Sequence, residues 1–210
     1  MNNKDIIQKL NLENKLLISK ILRKKRVFIF YGTLLGIVRE KNILRGDDDI
    51  DILIDIKFKK EILKILKKLK IFKINKNVIN KYFIQLVRGN KKIKTFVDLY
   101  FYINNPKNTY IEEKHNFLSS INLKSHTLHI PKKLVFPIKK SKKFENVNLP
   151  NKPINLCRYL YGKSWKKPLN KNTGYRMEIY NNKPKLIKRS KIGGISRSFK
   201  QFFYNQYKKK

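Results

Sequence analysis

The chain has 210 residues, and its Lys+Arg 51 against Asp+Glu 14 gives a formal net charge of +37. A hydrophobic share of 41% with 12% aromatics can build one packed core, which excludes a chain that is disordered by composition. Cys157 is the only cysteine, which excludes an intrachain disulfide and a zinc knuckle.

A field this positive attracts polyanions. Lys greatly outnumbers Arg, however, Asn and Ile are abundant, and Ala is missing altogether. AT-rich coding produces that bias, and Arg is the residue favoured for bidentate phosphate and base recognition. The charge alone therefore does not assign a nucleic-acid partner. The longest uncharged apolar run, residues 27–38, is about a dozen residues and falls short of the ~18 a bilayer span needs. The N-terminus carries lysines and Asp5 and lacks a secretory apolar region. These features predict an intracellular, cytoplasmic protein without signal peptide or transmembrane segment.

In chain order, Ile6, Ile7, Leu10, Leu17, Ile18 and Ile21 recur at helical spacing and predict an amphipathic helix over roughly residues 3–25. Val27 to Tyr31 is a short buried strand, Gly32-Thr33 a turn, Leu34 to Glu40 a short helix, and Lys41 to Gly46 a loop. From Asp49 to Ile56 the pattern alternates strictly. Asp49, Asp51, Leu53 and Asp55 fall on one face and four isoleucines on the other, which predicts a strand with one face on a core. Phe58 to Leu69 returns to helical spacing. Tyr82 to Val87 and Ile93 to Tyr102 flank Arg88-Gly89-Asn90 as a hairpin, with Asp98 in its second strand. Short strands punctuated by prolines follow, then a helix from Ile154 to Tyr161 that Gly162 ends. Residues 171–210 form a basic C-terminal extension to a domain of residues 1–170. There Phe199, Phe203 and Tyr207 fall at helical spacing, a stripe suited to peripheral membrane contact or to docking on the domain.

Every aspartate except Asp5 lies among Asp47, Asp48, Asp49, Asp51, Asp55 and Asp98. Side chains two apart on a strand point the same way, so Asp49 and Asp51 can share one or two divalent ions, and Asp98 can add a third carboxylate from another strand. Mg²⁺ or Mn²⁺ suits such hard oxygen ligands together with substrate phosphate. Gly32 permits close backbone approach, Thr33 offers a hydroxyl, and the helix start after them suits a phosphate. Arg39 is a candidate counter-charge, and Asp47 and Asp48 are expected to shape the loop or bind outer-shell water. His126 and His129, three apart on a strand, point to opposite faces and make a poor metal pair. Trp165 is read as packing, and Cys157 as a buried thiol.

The order strand, Gly-Thr, helix, strand with Asp-Ile-Asp, later strand with Asp is that of an α+β nucleotidyltransferase (polymerase-β-like) fold, a mixed sheet flanked by helices. Tyr31-Gly-Thr-Leu-Leu-Gly36, Arg39 and Asp47-Asp-Asp-Ile-Asp51 resemble the hallmark of the LicD/fukutin family. The likeness continues in Val135-Phe136-Pro137, Phe144-Glu145 to Leu149-Pro150, and Tyr159-Leu-Tyr-Gly162 with Trp165 and Pro168. It implies an enzyme that transfers a phospho-alcohol, phosphocholine- or ribitol-phosphate-like, from a CDP-linked donor to a glycan or glycoconjugate and releases CMP. It also implies that Mg²⁺ (or Mn²⁺) sits on Asp49, Asp51 and Asp98, the last as third ligand or base, with Gly32, Thr33 and Arg39 toward the donor. Where the family usually has Pro-Trp before the aspartates, this chain has Arg45-Gly46. The alternatives are a true nucleotidyltransferase using an NTP, and a non-catalytic nucleic-acid-binding protein.

Overall fold

The computed structural model describes residues 2–90, 92–114, 127–141, 147–168 and 175–188. The single helix expected at the N-terminus is two, α1 (Asn3–Leu17) and α2 (Ser19–Leu22), because Ile18 at φ −93°, ψ 8° leaves the helical geometry between them. Asn2 caps α1 by accepting from the Asp5 amide. The strand expected up to Tyr31 stops sooner, as β1 (Val27–Ile29), and α3 (Tyr31–Glu40) follows with extended Phe30 as its N-cap. Gly32 and Thr33 thus lie in the first helical turn rather than in a turn before the helix.

The alternating stretch is β2 (Asp49–Asp55), continued by a 3-10 turn at Ile56–Phe58 and by α4 (Lys59–Lys68). The short β3 (Lys73–Ile74) precedes the predicted hairpin, β4 (Phe83–Gly89) and β5 (Lys94–Ile103). After it come β6 (Tyr110–Lys114), β7 (Thr127–Pro131), α5 (Lys132–Val135), β8 (Lys139–Ser141), β9 (Val147–Leu149) and α6 (Pro153–Tyr161). The main sheet runs β1-β2-β5-β4-β3, with β6 on the far end of β5 and β7 beyond it. β2 and β5 pair in parallel and their neighbours pair antiparallel, so the sheet is mixed and the protein α+β. β2 differs from the one-faced strand expected. Leu53 and Asp55 on its carboxylate face are fully buried, because β2 is an inner strand covered on both sides. Asp55 is held there by Arg26, 3.2 Å away.

Part of the segment after Lys171 folds as a hairpin, β10 (Tyr175–Tyr180) and β11 (Lys183–Lys188). Its two-residue turn has Asn181 at φ 48° and Asn182 at φ 60°, the left-handed pair that suits a hairpin and that Asn tolerates. The hairpin joins the domain through the His129 amide, which donates to the Asn182 carbonyl at 2.9 Å. The stripe Phe199, Phe203 and Tyr207 lies outside the described residues, as do His126 and Phe144-Glu145. No helix among the described residues is long and apolar enough to cross a membrane.

Cys157 on α6 is the buried thiol expected, and burial pushes it up to about 12. A thiolate-seeking reagent should therefore modify the native protein at least ~100-fold more slowly than the unfolded chain. Equal rates in the two states would place the thiol at the surface.

Candidate metal centre

Parallel register sets Asp51 of β2 opposite Asp98 of β5, and strand periodicity places Asp49 on the same face as Asp51. One carboxylate oxygen each from Asp49, Asp51 and Asp98 lies within 4.8 Å of the others. A second group, Asp47, Asp48 and Asp49, meets the same limit and shares Asp49 with the first. The start of α3 closes the site from above. There the Gly32 amide donates to Asp51 Oδ2 at 2.8 Å and the Thr33 amide to the same oxygen at 3.4 Å. The bond runs both ways, since the Asp51 amide donates to Thr33 Oγ1 at 2.8 Å. The first turn of a helix carries partial positive charge, so it favours the carboxylate it meets.

Burial above all raises Asp51 well above the usual carboxylate range, and the charges of Asp49, Asp98 and Asp47 raise it further. Only 4% of Asp51 is exposed. Tyr31, Tyr100 and Tyr161 lie close enough that the Asp51 charge, after their own burial, helps raise all three hydroxyls. Asp51 therefore stands near three tyrosines, of which Tyr31 and Tyr100 are buried. Ionised together, these carboxylates repel in a low dielectric, and a bound cation removes that cost. The donor set fits Mg²⁺ or Mn²⁺: every ligand is a hard carboxylate oxygen, and opposite ligands of an octahedral Mg²⁺ stand about 4.2 Å apart.

The structure brings together Asp49, Asp51, Asp98, Gly32 and Thr33. Arg39 is at the other end of α3. It sits in the last turn of α3, seven residues or about 10 Å of helix rise from Gly32, and its guanidinium pairs with Glu40 at 2.6 Å. Asp47 stands closer than expected: a Cβ on Gly32 would come within 2.8 Å of Asp47 Oδ2. Gln85 went unnoticed in the sequence. Opposite Asp98 in register, it donates Nε2 to Asp98 Oδ1 at 2.9 Å and accepts from Asn75 at 2.8 Å. A polar residue at the Asp98 level of the neighbouring strand is the signal that would have found it. His129 stacks flat on Tyr110 with ring centroids 3.9 Å apart, and Trp165 is buried in the core.

Glu113 was also missed. It lies on β6, only 1% exposed, and accepts from the Tyr31 hydroxyl at 2.8 Å. Burial pushes its carboxyl up to about 8, against an opposing pull from that hydrogen bond. Between the ordinary 4.5 and about 8 the folded state keeps a proton that the unfolded chain has lost, so stability falls as pH rises through that window. Glu113→Gln removes the ionisation while keeping an acceptor for Tyr31. The variant should match the wild type at pH 4 and exceed it above pH 8 by a few kcal/mol, each pKa unit counting about 1.4 kcal/mol. Denaturant melts across pH measure the difference, and parallel curves would mean that Glu113 is solvated.

A family model described as LicD/FKTN/FKRP, nucleotidyltransferase domain, matches residues 24–151. That span holds the start of α3 and all the clustered carboxylates. No curated protein matches the chain.

Proposed function

The chain belongs to the LicD/FKTN/FKRP nucleotidyltransferase-domain family, and from that premise we propose that it is a phosphotransferase with the nucleotidyltransferase fold. It moves a phospho-alcohol, such as phosphocholine or ribitol phosphate, from a CDP-linked donor to a hydroxyl of a glycan or glycoconjugate. The observation that carries the reading is the convergence of Asp49, Asp51 and Asp98 from two parallel strands beneath the start of a helix.

Mg²⁺ or Mn²⁺ bound to these carboxylates would neutralise the diphosphate and stabilise the leaving phosphate of CMP. Asp49 and Asp51 would be its ligands, and Asp51 is held by the Gly32 and Thr33 amides. With those two amides engaged by Asp51, the helix start favours the donor phosphate through its partial positive charge. Asp98, oriented by Gln85, is the third ligand or the base that takes the acceptor proton. The acceptor oxygen bonds to the phosphorus carrying the alcohol, and the bond from that phosphorus to the bridging oxygen breaks in line, so CMP departs with the electron pair.

The test is product analysis. CDP-choline or CDP-ribitol with Mg²⁺ and a glycan acceptor should yield CMP and a phosphodiester. Pyrophosphate released from an NTP would instead make the protein a true nucleotidyltransferase. A salt-sensitive nucleic-acid gel shift with no turnover of any nucleotide would replace catalysis with binding. A thermal-shift screen of CDP-alcohols, UDP-sugars and NTPs, with and without Mg²⁺, selects the donor first.

A further inference from the structure

Two asparagines of α1 are fully buried, which is unusual for an amide unless its bonds are satisfied. Asn11 Nδ2 donates to the Asp47 carbonyl at 2.8 Å, and Asn11 Oδ1 accepts from Asn14 Nδ2 at 3.2 Å. Asn14 goes on to Thr95 Oγ1 at 2.9 Å and accepts from Arg88 at 3.1 Å. Thr95 is on β5, three residues before Asp98. A chain of buried amides thus runs from the loop that bears Asp47 to the strand that bears Asp98.

The rest of that loop also lies along α1. Gln8 donates to the Ile43 carbonyl at 3.1 Å, and Arg45 pairs with Asp5 at 2.9 Å. Gly46, at φ 81°, passes so close to Lys4 that an added Cβ would meet it at 3.2 Å. The Arg45–Asp5 pair is exposed, and such pairs hold little. Asn11 is the buried contact to the loop, and its donor is spent on the backbone of Asp47 itself.

We infer that Asn11 is a positioning residue of the metal centre, its amide fixing where the Asp47 carboxylate stands beside Gly32 and Asp51. The inference rests on the metal reading above and extends it to α1, which precedes the family-matched residues 24–151. Asp47 belongs with Asp48 and Asp49 to the second carboxylate group, and the loss of a hydrogen bond that positions a metal site from outside typically weakens metal binding about 10-fold to 100-fold.

The test is Mn²⁺ titration of the full chain, followed by electron paramagnetic resonance, for wild type, Asn11→Leu, Asp47→Ala and the double variant. Asn11→Leu should raise the Mn²⁺ Kd about 10-fold. The double variant should bind no more weakly than Asp47→Ala alone, because both act through one group. Three results overturn the inference: an unchanged Kd in Asn11→Leu, a loss confined to its metal-free melting temperature, or losses that multiply in the double variant. If Asn11→Leu does not fold, Asn11→Ser removes the same amide with less bulk and is read in the same way. A wild type that binds no Mn²⁺ overturns the metal reading itself, and that outcome is seen before any variant is compared.

Discussion

Asp51→Asn should abolish turnover, by about 10³-fold or more, in a protein that still folds and whose metal-free form melts higher than the wild type. The activity loss follows from removing a charged ligand at the centre of the cluster. The fold survives because an Asn carbonyl oxygen can accept from the Gly32 and Thr33 amides as Asp51 does. The stability gain has its own cause. Burial and the neighbouring Asp49, Asp98 and Asp47 raise the Asp51 carboxyl well above its ordinary 3.8. Above that ordinary value the folded state must either hold a proton or carry an ion that it disfavours, so rising pH costs stability that the unfolded chain does not lose. Asn is exempt. Near neutral pH the metal-free variant should gain about 1 kcal/mol or more, because the charge it removes is buried among other carboxylates.

Mg²⁺ should reverse the order. A ligand at 100 times its Kd adds about 2.7 kcal/mol to the wild type, and the variant, short of one ligand, should gain much less. Melting curves with and without Mg²⁺, run beside a CMP-release assay, read all three effects. Full activity with a full Mg²⁺ shift in Asp51→Asn would move the site away from this cluster.

The aspartates were legible in the sequence because a strand's period is two, so Asp-Ile-Asp must put both carboxylates on one side whatever surrounds them. Asp98 was legible for a related reason, as a lone acid inside an apolar strand. The parts that stayed hidden depend on what packs against a position. In α1 the leucines and isoleucines define the expected apolar face, yet Ile6, Ile7, Leu10 and Leu17 are only part-buried while Asn11 and Asn14 are wholly inside. Partners 36 and 81 residues away satisfy their amides, and helical spacing carries no record of them. Glu113 is the intermediate case. It shares a strand face with Ile111, both are buried, and alternation alone could have placed it inward. Glu112 beside it and Lys114 after it disguise that phase as an ordinary charged edge.

Gly32→Ala should separate function from stability most cleanly. Gly32 does not have the left-handed backbone found at Gly46, Gly89 and Gly162, so nothing in its own conformation requires glycine. What requires it is space, since a Cβ there would stand 2.8 Å from Asp47 Oδ2 and 3.3 Å from Asp51 Oδ2. Alanine gains up to about 1 kcal/mol over glycine in a helix interior, and less in the first turn where Gly32 sits. The first clash is with the end of a side chain on a loop, which can swing away. The metal-free melting temperature should therefore stay within a few degrees of the wild type, with propensity offsetting displacement. Asp51 has no such freedom if it is to remain a ligand. Moving Asp47 and crowding Asp51 by a few tenths of an ångström should raise the Mn²⁺ Kd and lower turnover by about 10-fold to 100-fold, the range expected when ligands are misdirected rather than removed. Gly32→Val, with two more methyl groups toward the same oxygens, should go further in both. Calorimetric melting gives the first quantity and Mn²⁺ titration with the CMP assay the second. If Gly32→Ala melts as expected and binds Mn²⁺ as the wild type does, Asp51 does not meet the metal from beneath this helix.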